Sequence, residues 1–237
     1  HRLPIMMERS WRQEFNDYFA DAAAEPQPEA SAQATYNLVL PRSACPHCGH
    51  TITALENIPL LSWLWLKGRC RSCQAPISAR YPLVELLTGL ISLAIALTQP
   101  TGLALLGALL LSWTLIALTF IDLDKMLLPD QLTLPLLWLG LLLNLVGTFA
   151  SLTDAVIGAA AGYLVLWSLY WGFKLLTGKE GMGYGDFKLL AALGAWLGWQ
   201  CLPLILILSS LVGALVGITL IALRRHEQAN PIPFGPY

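Results

Sequence analysis

The sequence predicts an all-α polytopic membrane protein, in which a bundle of transmembrane helices follows a polar segment with four cysteines. Hydrophobic residues make up 56% of the 237 residues and charged residues only 12%, which is unlike a water-soluble domain of this length. The charges are also uneven, since residues 1–81 hold eight of the fourteen Lys and Arg residues. We therefore expect a polar segment over 1–81, a helix bundle over 82–223 and a loop over 224–237.

Six apolar runs follow the polar segment, and each is expected to form a membrane helix. A helix needs about 20 residues to cross the hydrocarbon core of a bilayer. The fifth run is short enough to be tilted, partly buried or incompletely spanning. The runs cover residues 82–98, 101–121, 131–150, 155–175, 187–200 and 202–223.

The cationic residues predict which loops face the cytoplasm. No Lys or Arg occurs in the connections near 99–101, 151–154 and 200–202, whereas the alternate connections and the polar segment hold all of them. By the positive-inside rule, the cation-bearing set is expected on the cytoplasmic side. Asp122 and Asp186 would then share the cytoplasmic face.

The net charge, the local composition and the ends of the sequence give three further expectations. The net charge of -1 gives no basic surplus that would neutralise a phosphate backbone, so a nucleic-acid partner is not expected. Residues 21–34 are rich in Pro, Ala, Gln and Glu and predict a flexible loop. Because the chain starts at His1 and stops at PIPFGPY, we expect a fragment of a longer protein.

Four cysteines in the polar segment predict a structural zinc site. Cys45 and Cys48 form one C-x2-C unit, and Cys70 and Cys73 form a second unit after 21 intervening residues. Two such units can place four thiolates around one tetrahedral ion. Disulfides are the alternative, which a reducing cytoplasm opposes. The nearby residues His47 and His50 are expected to be outside the ligand set or exposed, and the isolated Cys201 to be a buried apolar residue.

Five aspartates follow the polar segment, and most have an ordinary structural explanation. Asp130 and Asp154 each open an apolar run and fit the role of a helix N-cap. Asp124 lies beside Lys125 and fits a solvated loop charge. Asp122 directly follows the run LSWTLIALTFI with no adjacent cation, where an isolated carboxylate is costly in a membrane. That cost indicates a function for Asp122.

The stretch EGMGYGDFK places Asp186 behind three glycines. Asp186 could cap the following helix, but a cap needs no such clearance. Gly181, Gly183 and Gly185 permit positive φ and close approach of an extended substrate strand. Two carboxylates at one membrane face can share a proton, so that one activates water and the other polarises a peptide carbonyl. Asp122 and Asp186 together therefore indicate aspartic protease chemistry.

These motifs resemble those of the bacterial type IV prepilin peptidases, which are GxGD membrane aspartic proteases. FIDLDKMLLPD, GMGYGDFK, RYPLVELLTG, PIPFGPY and the paired C-x2-C units carry the resemblance over nearly the whole chain. In that family the catalytic pair occupies the positions of Asp122 and Asp186. The four-cysteine segment is similar to that of the bifunctional leader peptidase and N-methyltransferase group. The family's helices before HRLP and after PFGPY would bring the total to about eight, of which six lie in this chain.

The resemblance implies an enzyme with two activities in the bacterial inner membrane. It would remove the leader of type IV prepilins or type II secretion pseudopilins after a glycine at the cytoplasmic face. It would then methylate the new N-terminal residue with S-adenosylmethionine. The residues that bind the methyl donor stay unknown, since no G-x-G-x-x-G follows a predicted strand. Glu85 could bind a substrate amine or pair with Arg80, and we assign it no role.

Two other classes of function stay open on the residues alone. A proton or cation transporter could use Asp122, Asp186 and Glu85 as intramembrane acids, although it would not explain the zinc site or the glycines. A zinc-containing membrane adaptor without catalysis would tolerate asparagine at both aspartates. Those substitutions separate the adaptor from the enzyme.

Overall fold

The computed structural model describes residues 2–20, 42–179, 181–222 and Gly235. Within these residues the secondary structure is helical, with two isolated β-bridges and no strand, which confirms the all-α class. The loop expected at 21–34 and nearly all of 224–237 lie outside the described residues. The helices are α1 (Arg2–Ala20), α2 (Leu61–Trp65), α3 (Arg80–Thr98), α4 (Leu103–Lys125), α5 (Asp130–Asn144), α6 (Leu152–Thr177), α7 (Tyr184–Leu197) and α8 (Leu202–Ala222).

Every predicted apolar run coincides with a helix, but not every helix is long enough to span a bilayer. Among the described residues, four stretches have the length and composition of a span. The helices α5 and α7 have 15 and 14 residues, which correspond to about 22 and 21 Å at 1.5 Å per residue. Of the six predicted membrane helices, the described residues thus contain four with the length and composition of a span, whereas α5 and α7 are shorter. The four spans are Arg80–Thr98, Leu103–Lys125, Leu152–Thr177 and Trp199–Thr219.

The helix α1 is an element that the composition of the polar segment did not suggest. Its apolar residues Leu3, Met7 and Trp11 recur every four positions, which is the spacing of one helix face. Met7 is buried, whereas Trp11 is exposed. This spacing could have predicted the helix, and the surrounding charged residues masked it.

The chain forms two compact units, residues 1–90 and 91–237, and α7 is the core of the second unit. Eight of the fourteen residues of α7 are buried, because α5 and α6 pack against it. Its short length fits the prediction for the fifth apolar run, since a helix enclosed by neighbouring helices need not cross the membrane alone.

Glycines allow α6 and α7 to pack with their backbones in contact. A Cβ atom at Gly194 would collide with the carbonyl oxygen of Gly158, and one at Gly158 would collide with the carbonyl oxygen of Gly194. One turn further along, a Cβ at Gly162 would lie 2.6 Å from the carbonyl oxygen of Leu190. Small residues are common where membrane helices approach closely, since dispersion contacts drive their association. The glycines therefore bring the backbones of α6 and α7 into direct contact.

The contact between α5 and α7 includes a polar side chain within the core, that of Asn144. Asn144 is almost fully buried, and its Nδ2 donates to the carbonyl oxygens of Ala195 and Trp196 at 2.9 and 3.0 Å. Its Oδ1 accepts from the backbone N–H groups of Phe149 and Ala150 at 2.9 and 3.0 Å. Asn144 thus satisfies carbonyl groups at the end of α7 that have no partner within the helix. The helix α5 ends at Asn144, whereas the predicted apolar run continued six residues further, to residue 150.

Candidate active site and metal centre

Asp122 lies in the last turn of α4 and is 5% exposed. The helix ends at Met126, whose N–H donates to the Asp122 carbonyl oxygen at 2.8 Å and whose φ of 52° is left-handed. The side-chain Oδ2 of Asp122 is buried and accepts no hydrogen bond within the part of the chain that the structure describes. Gly235 lies against this oxygen, since a Cβ at Gly235 would lie 2.7 Å from it. A buried carboxylate of this kind carries a large desolvation cost and is typical of a functional site.

Asp186 is the third residue of α7, and its carboxylate faces the backbone N–H of the N-cap residue Gly183. This contact resembles half of a capping box, in which an acidic side chain returns to the N-cap. The carboxylates of Asp122 and Asp186 are close enough to repel each other directly. The structure therefore brings together the two aspartates that the sequence paired, and Asp186 also stabilises its own helix.

The glycines before Asp186 differ in detail from the expectation. Gly183 and Gly185 have no positive φ, so neither of them uses the left-handed backbone that glycine permits. At Gly185, a Cβ would lie 2.7 Å from the Cβ of Leu128, so this glycine admits the loop between α4 and α5. At Gly183 the space is open apart from a contact of 3.6 Å with Asp186 Oδ2. Only Gly183 therefore leaves room beside the carboxylate in this structure.

Asp130 is not the N-cap that the sequence predicted. Pro129 occupies the N-cap with extended backbone, and Asp130 is the first helical residue of α5. Its carboxylate binds Lys188 Nζ through both oxygens at 2.6 and 2.7 Å. Lys188 lies two residues after Asp186, so this ion pair joins the start of α5 to the first turns of α7. Sequence reasoning missed the pair because the two residues lie 58 positions apart.

Asp154 is likewise the third residue of a helix rather than its cap. Ser151 is the N-cap of α6, and its Oγ accepts from the Asp154 N–H at 3.1 Å and donates to Asp154 Oδ2 at 2.7 Å. The other oxygen of Asp154 accepts from Trp199 Nε1 and Gln200 Nε2 at 2.9 and 3.0 Å. Asp154 therefore holds the connection between α7 and α8 to the start of α6, away from the acid pair.

A cavity of about 200 Å³ opens beside Asp186. Its walls come from α4, α6, α7 and α8, and most of the lining is leucine or isoleucine. Thr119 and Ser209 are the hydroxyl residues of the lining, and Gly235 completes it. An apolar cavity with few polar groups next to a carboxylate suits an apolar peptide segment whose backbone reaches the acid.

The four cysteines meet at one point, as the paired motifs predicted. Their sulfur atoms all lie within 4.8 Å of one another. The Sγ atoms of Cys45 and Cys73 are 3.8 Å apart, and those of Cys48 and Cys70 are 3.9 Å apart. A tetrahedral zinc ion with Zn–S bonds near 2.3 Å would require S–S edges of about 3.8 Å, whereas a disulfide requires about 2.05 Å. The geometry therefore fits a metal ion and not a disulfide pair.

The two halves of the metal centre share one backbone pattern. In each half, the N–H of the residue after the second cysteine donates to the carbonyl oxygen of the first cysteine, from Gly49 to Cys45 at 2.9 Å and from Gln74 to Cys70 at 3.0 Å. Gly49 and Gln74 have left-handed φ values of 70° and 59°. This tight turn points successive N–H groups at the sulfur atoms. The N–H groups of His47 and Cys48 lower the pKa of the Cys45 thiol to about 7.

Glu56 joins the two halves from outside the cysteine cluster. Its carboxylate accepts from the Thr53 N–H at 2.9 Å, lies 3.3 Å from His50 Nε2 and lies 3.6 Å from Arg71. His50 follows the first pair of cysteines, and Arg71 lies between the second pair. Hydrogen bonds from Thr53 and His50 lower the pKa of Glu56 to about 2, and the bond from the Thr53 N–H has the largest effect. His50 is thus an outer partner rather than a ligand, and Cys201 lies outside the cluster.

Comparison with known proteins shows the family. A family model described as the bacterial peptidase A24 N-terminal domain matches residues 1–99, and the type IV leader peptidase family model matches residues 109–218. The chain is 73% identical over 237 residues to the prepilin leader peptidase/N-methyltransferase of Aeromonas hydrophila, which covers 100% of this chain and 80% of that relative. The chain belongs to the type IV leader peptidase family. This membership confirms the resemblance that the motifs predicted.

Other members of the type IV leader peptidase family match over the same extent. The prepilin leader peptidase/N-methyltransferase of Pseudomonas aeruginosa is 59% identical over 241 residues, with 100% of this chain and 80% of that relative covered. The relative of that name from Burkholderia pseudomallei is 55% identical over 238 residues, with 100% and 75% covered. No solved structure matches the chain. Membership in this family makes the protein an integral membrane enzyme with peptidase chemistry.

Proposed function

We propose that this protein removes the leader peptide of type IV prepilins or type II secretion pseudopilins, with Asp122 and Asp186 as its catalytic pair. The observation that carries the proposal is the approach of two carboxylates from different helices beside an apolar cavity. Family membership supports the peptidase activity, and the names of the relatives support the prepilin substrate. A transporter or an adaptor is not favoured, because neither would account for that membership.

The two acids divide the chemistry of peptide hydrolysis. One carboxylate, in its ionised form, takes a proton from a water molecule, whose oxygen attacks the carbonyl carbon of the scissile bond. The other carboxyl group, in its protonated form, donates a hydrogen bond to the carbonyl oxygen and stabilises the tetrahedral intermediate. Transfer of a proton to the leaving nitrogen then breaks the C–N bond. Two carboxylates that repel each other favour this state with a single shared proton.

The surrounding residues position the pair and hold the substrate. The Gly183 N–H and the helix start fix the orientation of Asp186, while the Asp130–Lys188 ion pair joins the helix starts on either side of the site. The leucine-rich cavity would hold apolar substrate residues and exclude bulk water. Gly183 would let the substrate backbone approach, whereas the space at Gly185 is taken by Leu128.

We assign a structural zinc ion to Cys45, Cys48, Cys70 and Cys73, since the spacing of their sulfur atoms suits tetrahedral zinc. Four thiolates complete the coordination of the ion and leave no position for water or substrate. The ion would therefore hold the two turns together and take no part in peptide hydrolysis. Metal binding supplies much of the folding free energy of such small modules.

The second activity, methylation of the new N-terminal residue, follows from the names of the relatives. The methyl donor would be S-adenosylmethionine, which supplies an activated methyl group to an amine nitrogen. The leucine-rich cavity beside Asp186 and a second cavity lined by one face of α6 do not fit this cofactor. We therefore assign no residue to its binding.

The distribution of charge supports a location in the bacterial inner membrane with both sites toward the cytoplasm. Cationic residues cluster in the polar segment, at the end of α4, around α7 and after α8. On this basis residues 1–81 and 224–237 would be cytoplasmic, and 82–223 would form the membrane bundle. The bilayer and the prepilin substrates would be the partners of the protein.

Asparagine substitution at each aspartate tests the catalytic assignment. In purified full-length protein, Asp122→Asn and Asp186→Asn should each abolish leader cleavage, because asparagine keeps the shape but cannot exchange the proton. Asp124→Asn is the matched control on the same helix turn and should cleave at the wild-type rate. Thermal unfolding and metal content should match wild type in all variants. Cleavage near the wild-type rate by either catalytic variant would overturn the assignment.

A further inference from the structure

Residues 42–79, which hold the four cysteines and α2, are called the metal-binding unit. The helix α2 turns an apolar face outward from this unit. Leu64 and Trp65 are 65% and 80% exposed, and Leu61 lies on the same face at i−3 and i−4. Leu55 and Ile58, from the 3₁₀ turn that packs against α2, are exposed as well. We call these five residues the apolar patch. Exposed apolar residues that cluster in this way mark an interaction surface rather than ordinary solvent-facing surface.

The opposite face of α2 is fixed within its own unit. Trp63 packs against Gly68, where a Cβ would lie 2.9 Å from the indole, and its Nε1 donates to the Ile77 carbonyl oxygen at 3.2 Å. The helix therefore cannot turn the apolar patch inward without losing this contact. The outward direction of Leu64 and Trp65 is built into the fold of the unit.

A hydrogen bond holds α2 beside the start of a membrane-spanning helix. Glu85 Oε2 accepts from the backbone N–H of Leu60, the residue before α2, at 2.9 Å. Glu85 lies five residues after Arg80, the first residue of the span α3, which is about 7.5 Å along a helix axis. The polar interface on each side of the hydrocarbon core is about 5–7 Å thick. This contact therefore places α2 beside the end of the span that meets the membrane interface.

The backbone at Leu60 is strained, so the hydrogen bond between the Leu60 N–H and Glu85 is kept despite a conformational energy cost. Leu60 has φ of 60° and ψ of −48°, and the N–H of Leu61 donates to the Pro59 carbonyl oxygen at 2.6 Å. This is a γ-turn of the strained form, which leucine rarely adopts. The turn directs the Leu60 N–H to Glu85 and starts α2 at that position.

The chemistry of the patch and its neighbours fits a lipid surface. Tryptophan and leucine partition into the interface between headgroups and acyl chains. Lys67 and Arg69, which follow α2, are exposed and carry the charge that attracts anionic headgroups. We propose that the apolar patch is a membrane-interface anchor, which lays the metal-binding unit on an anionic bilayer surface beside α3. This role is independent of the proposed catalytic pair.

A photo-cross-linker can test where the patch lies in the intact protein. The amino acid p-benzoylphenylalanine would replace Trp65 in the full chain, reconstituted in phosphatidylcholine nanodiscs with half of the lipid exchanged for phosphatidylglycerol. The cross-linker at Leu93, which is exposed on α3, is the positive control for lipid contact. The cross-linker at His47, which is exposed in the first cysteine turn, is the matched negative control. Metal content confirms that each variant is folded.

We expect lipid adducts at Trp65 in a yield close to that at Leu93 and about tenfold above that at His47, because an interfacial side chain inserts into the acyl boundary. The yield at Trp65 should fall in pure phosphatidylcholine, and Lys67→Gln with Arg69→Gln should remove this dependence. A yield at Trp65 no higher than at His47 would overturn the proposal. Adducts at Trp65 to a second protein chain, including added prepilin, would overturn it in favour of a protein-docking surface.

The contact with Glu85 gives a second test that leaves the patch itself intact. Glu85→Gln keeps an acceptor oxygen for the Leu60 N–H and should keep the lipid adducts at Trp65. Glu85→Ala removes the acceptor and should lower the adduct yield at Trp65 several-fold, with the yield at Leu93 unchanged. Equal yields in the two variants would show that the contact does not hold α2 at the membrane.

Discussion

The metal centre and the acid pair reach their geometry by different routes. In the metal centre, two short turns with the same backbone hydrogen bonds place four sulfur atoms together, and the ligand spacing lies within one continuous stretch of chain. In the acid pair, α4 and α7 deliver one carboxylate each, and α5 and α6 must first position α7. Local spacing therefore determines the first site, whereas the second depends on helix packing far along the chain.

The largest effect is expected from removal of the proposed zinc ion, which should damage the metal-binding unit far more than the helix bundle. Replacing both Cys45 and Cys48 with serine should release the metal and unfold the metal-binding unit, because the metal supplies about 10 kcal/mol or more to such modules. Methylation should fall by about tenfold or more, while leader cleavage should fall much less, since the helix bundle satisfies its own backbone hydrogen bonds. Both activities would be measured on the same prepilin.

The control for this comparison is Cys201→Ser, which changes a cysteine outside the cluster. It should leave metal content and both activities unchanged. Equal loss of cleavage and methylation in the double variant would instead show that the metal-binding unit serves both reactions, for example by docking the substrate.

The next largest effect should come from the contact between α6 and α7. Gly194→Ala places a methyl group against the Gly158 carbonyl oxygen, a backbone atom that cannot move aside. Overpacking of this kind costs about 1–3 kcal/mol, so the bundle should unfold at lower temperature and cleavage should drop. Metal content should stay at the wild-type level.

Gly172→Ala is the matched control on α6, because nothing lies within 4 Å of its Cβ position. It should leave the bundle as stable as wild type or raise its stability by up to about 1 kcal/mol, the helix propensity difference between glycine and alanine. Similar losses in the two variants would show that backbone contact at Gly194 does not hold α7 in place.

Particular residues show how much of this architecture the sequence could predict. The cysteine spacing predicted the metal centre, and six apolar runs predicted six helices, because both signals are local. The acceptors of Asn144 Nδ2 and the partner of Lys188 lie more than 50 positions away, so no local pattern could reveal them. The exact helix starts were also out of reach, since Pro129 and Ser151 cap helices that Asp130 and Asp154 were expected to cap.

A smaller effect is expected from the ion pair between the two helix starts. Lys188→Met should lower the rate of cleavage about fivefold at most, because partly exposed ion pairs contribute about 0.2–1 kcal/mol. The reversed pair, Asp130→Lys with Lys188→Asp, should recover part of the loss. Recovery stays incomplete because a lysine at the start of α5 opposes the helix dipole. Steady-state cleavage kinetics would show the change in kcat, and no recovery in the reversed pair would exclude a direct role for the pair.

The smallest expected effect compares the two cysteine turns with each other. Gly49 and Gln74 occupy equivalent left-handed positions, but only glycine adopts this backbone without strain. Gln74→Gly should therefore stabilise the turn by up to about 1 kcal/mol, which is about a fivefold higher chelator concentration for half removal of the metal. Gly49→Ala should shift that concentration about fivefold in the opposite direction, since its Cβ meets no neighbour and backbone strain alone opposes it. Gln74→Ala is the control, because it keeps the strain and loses only the bond from Gln74 Nε2 to the Arg71 carbonyl oxygen at 3.5 Å. If Gln74→Gly released the metal as easily as Gln74→Ala, the side-chain bond rather than the backbone would decide the stability of the second turn.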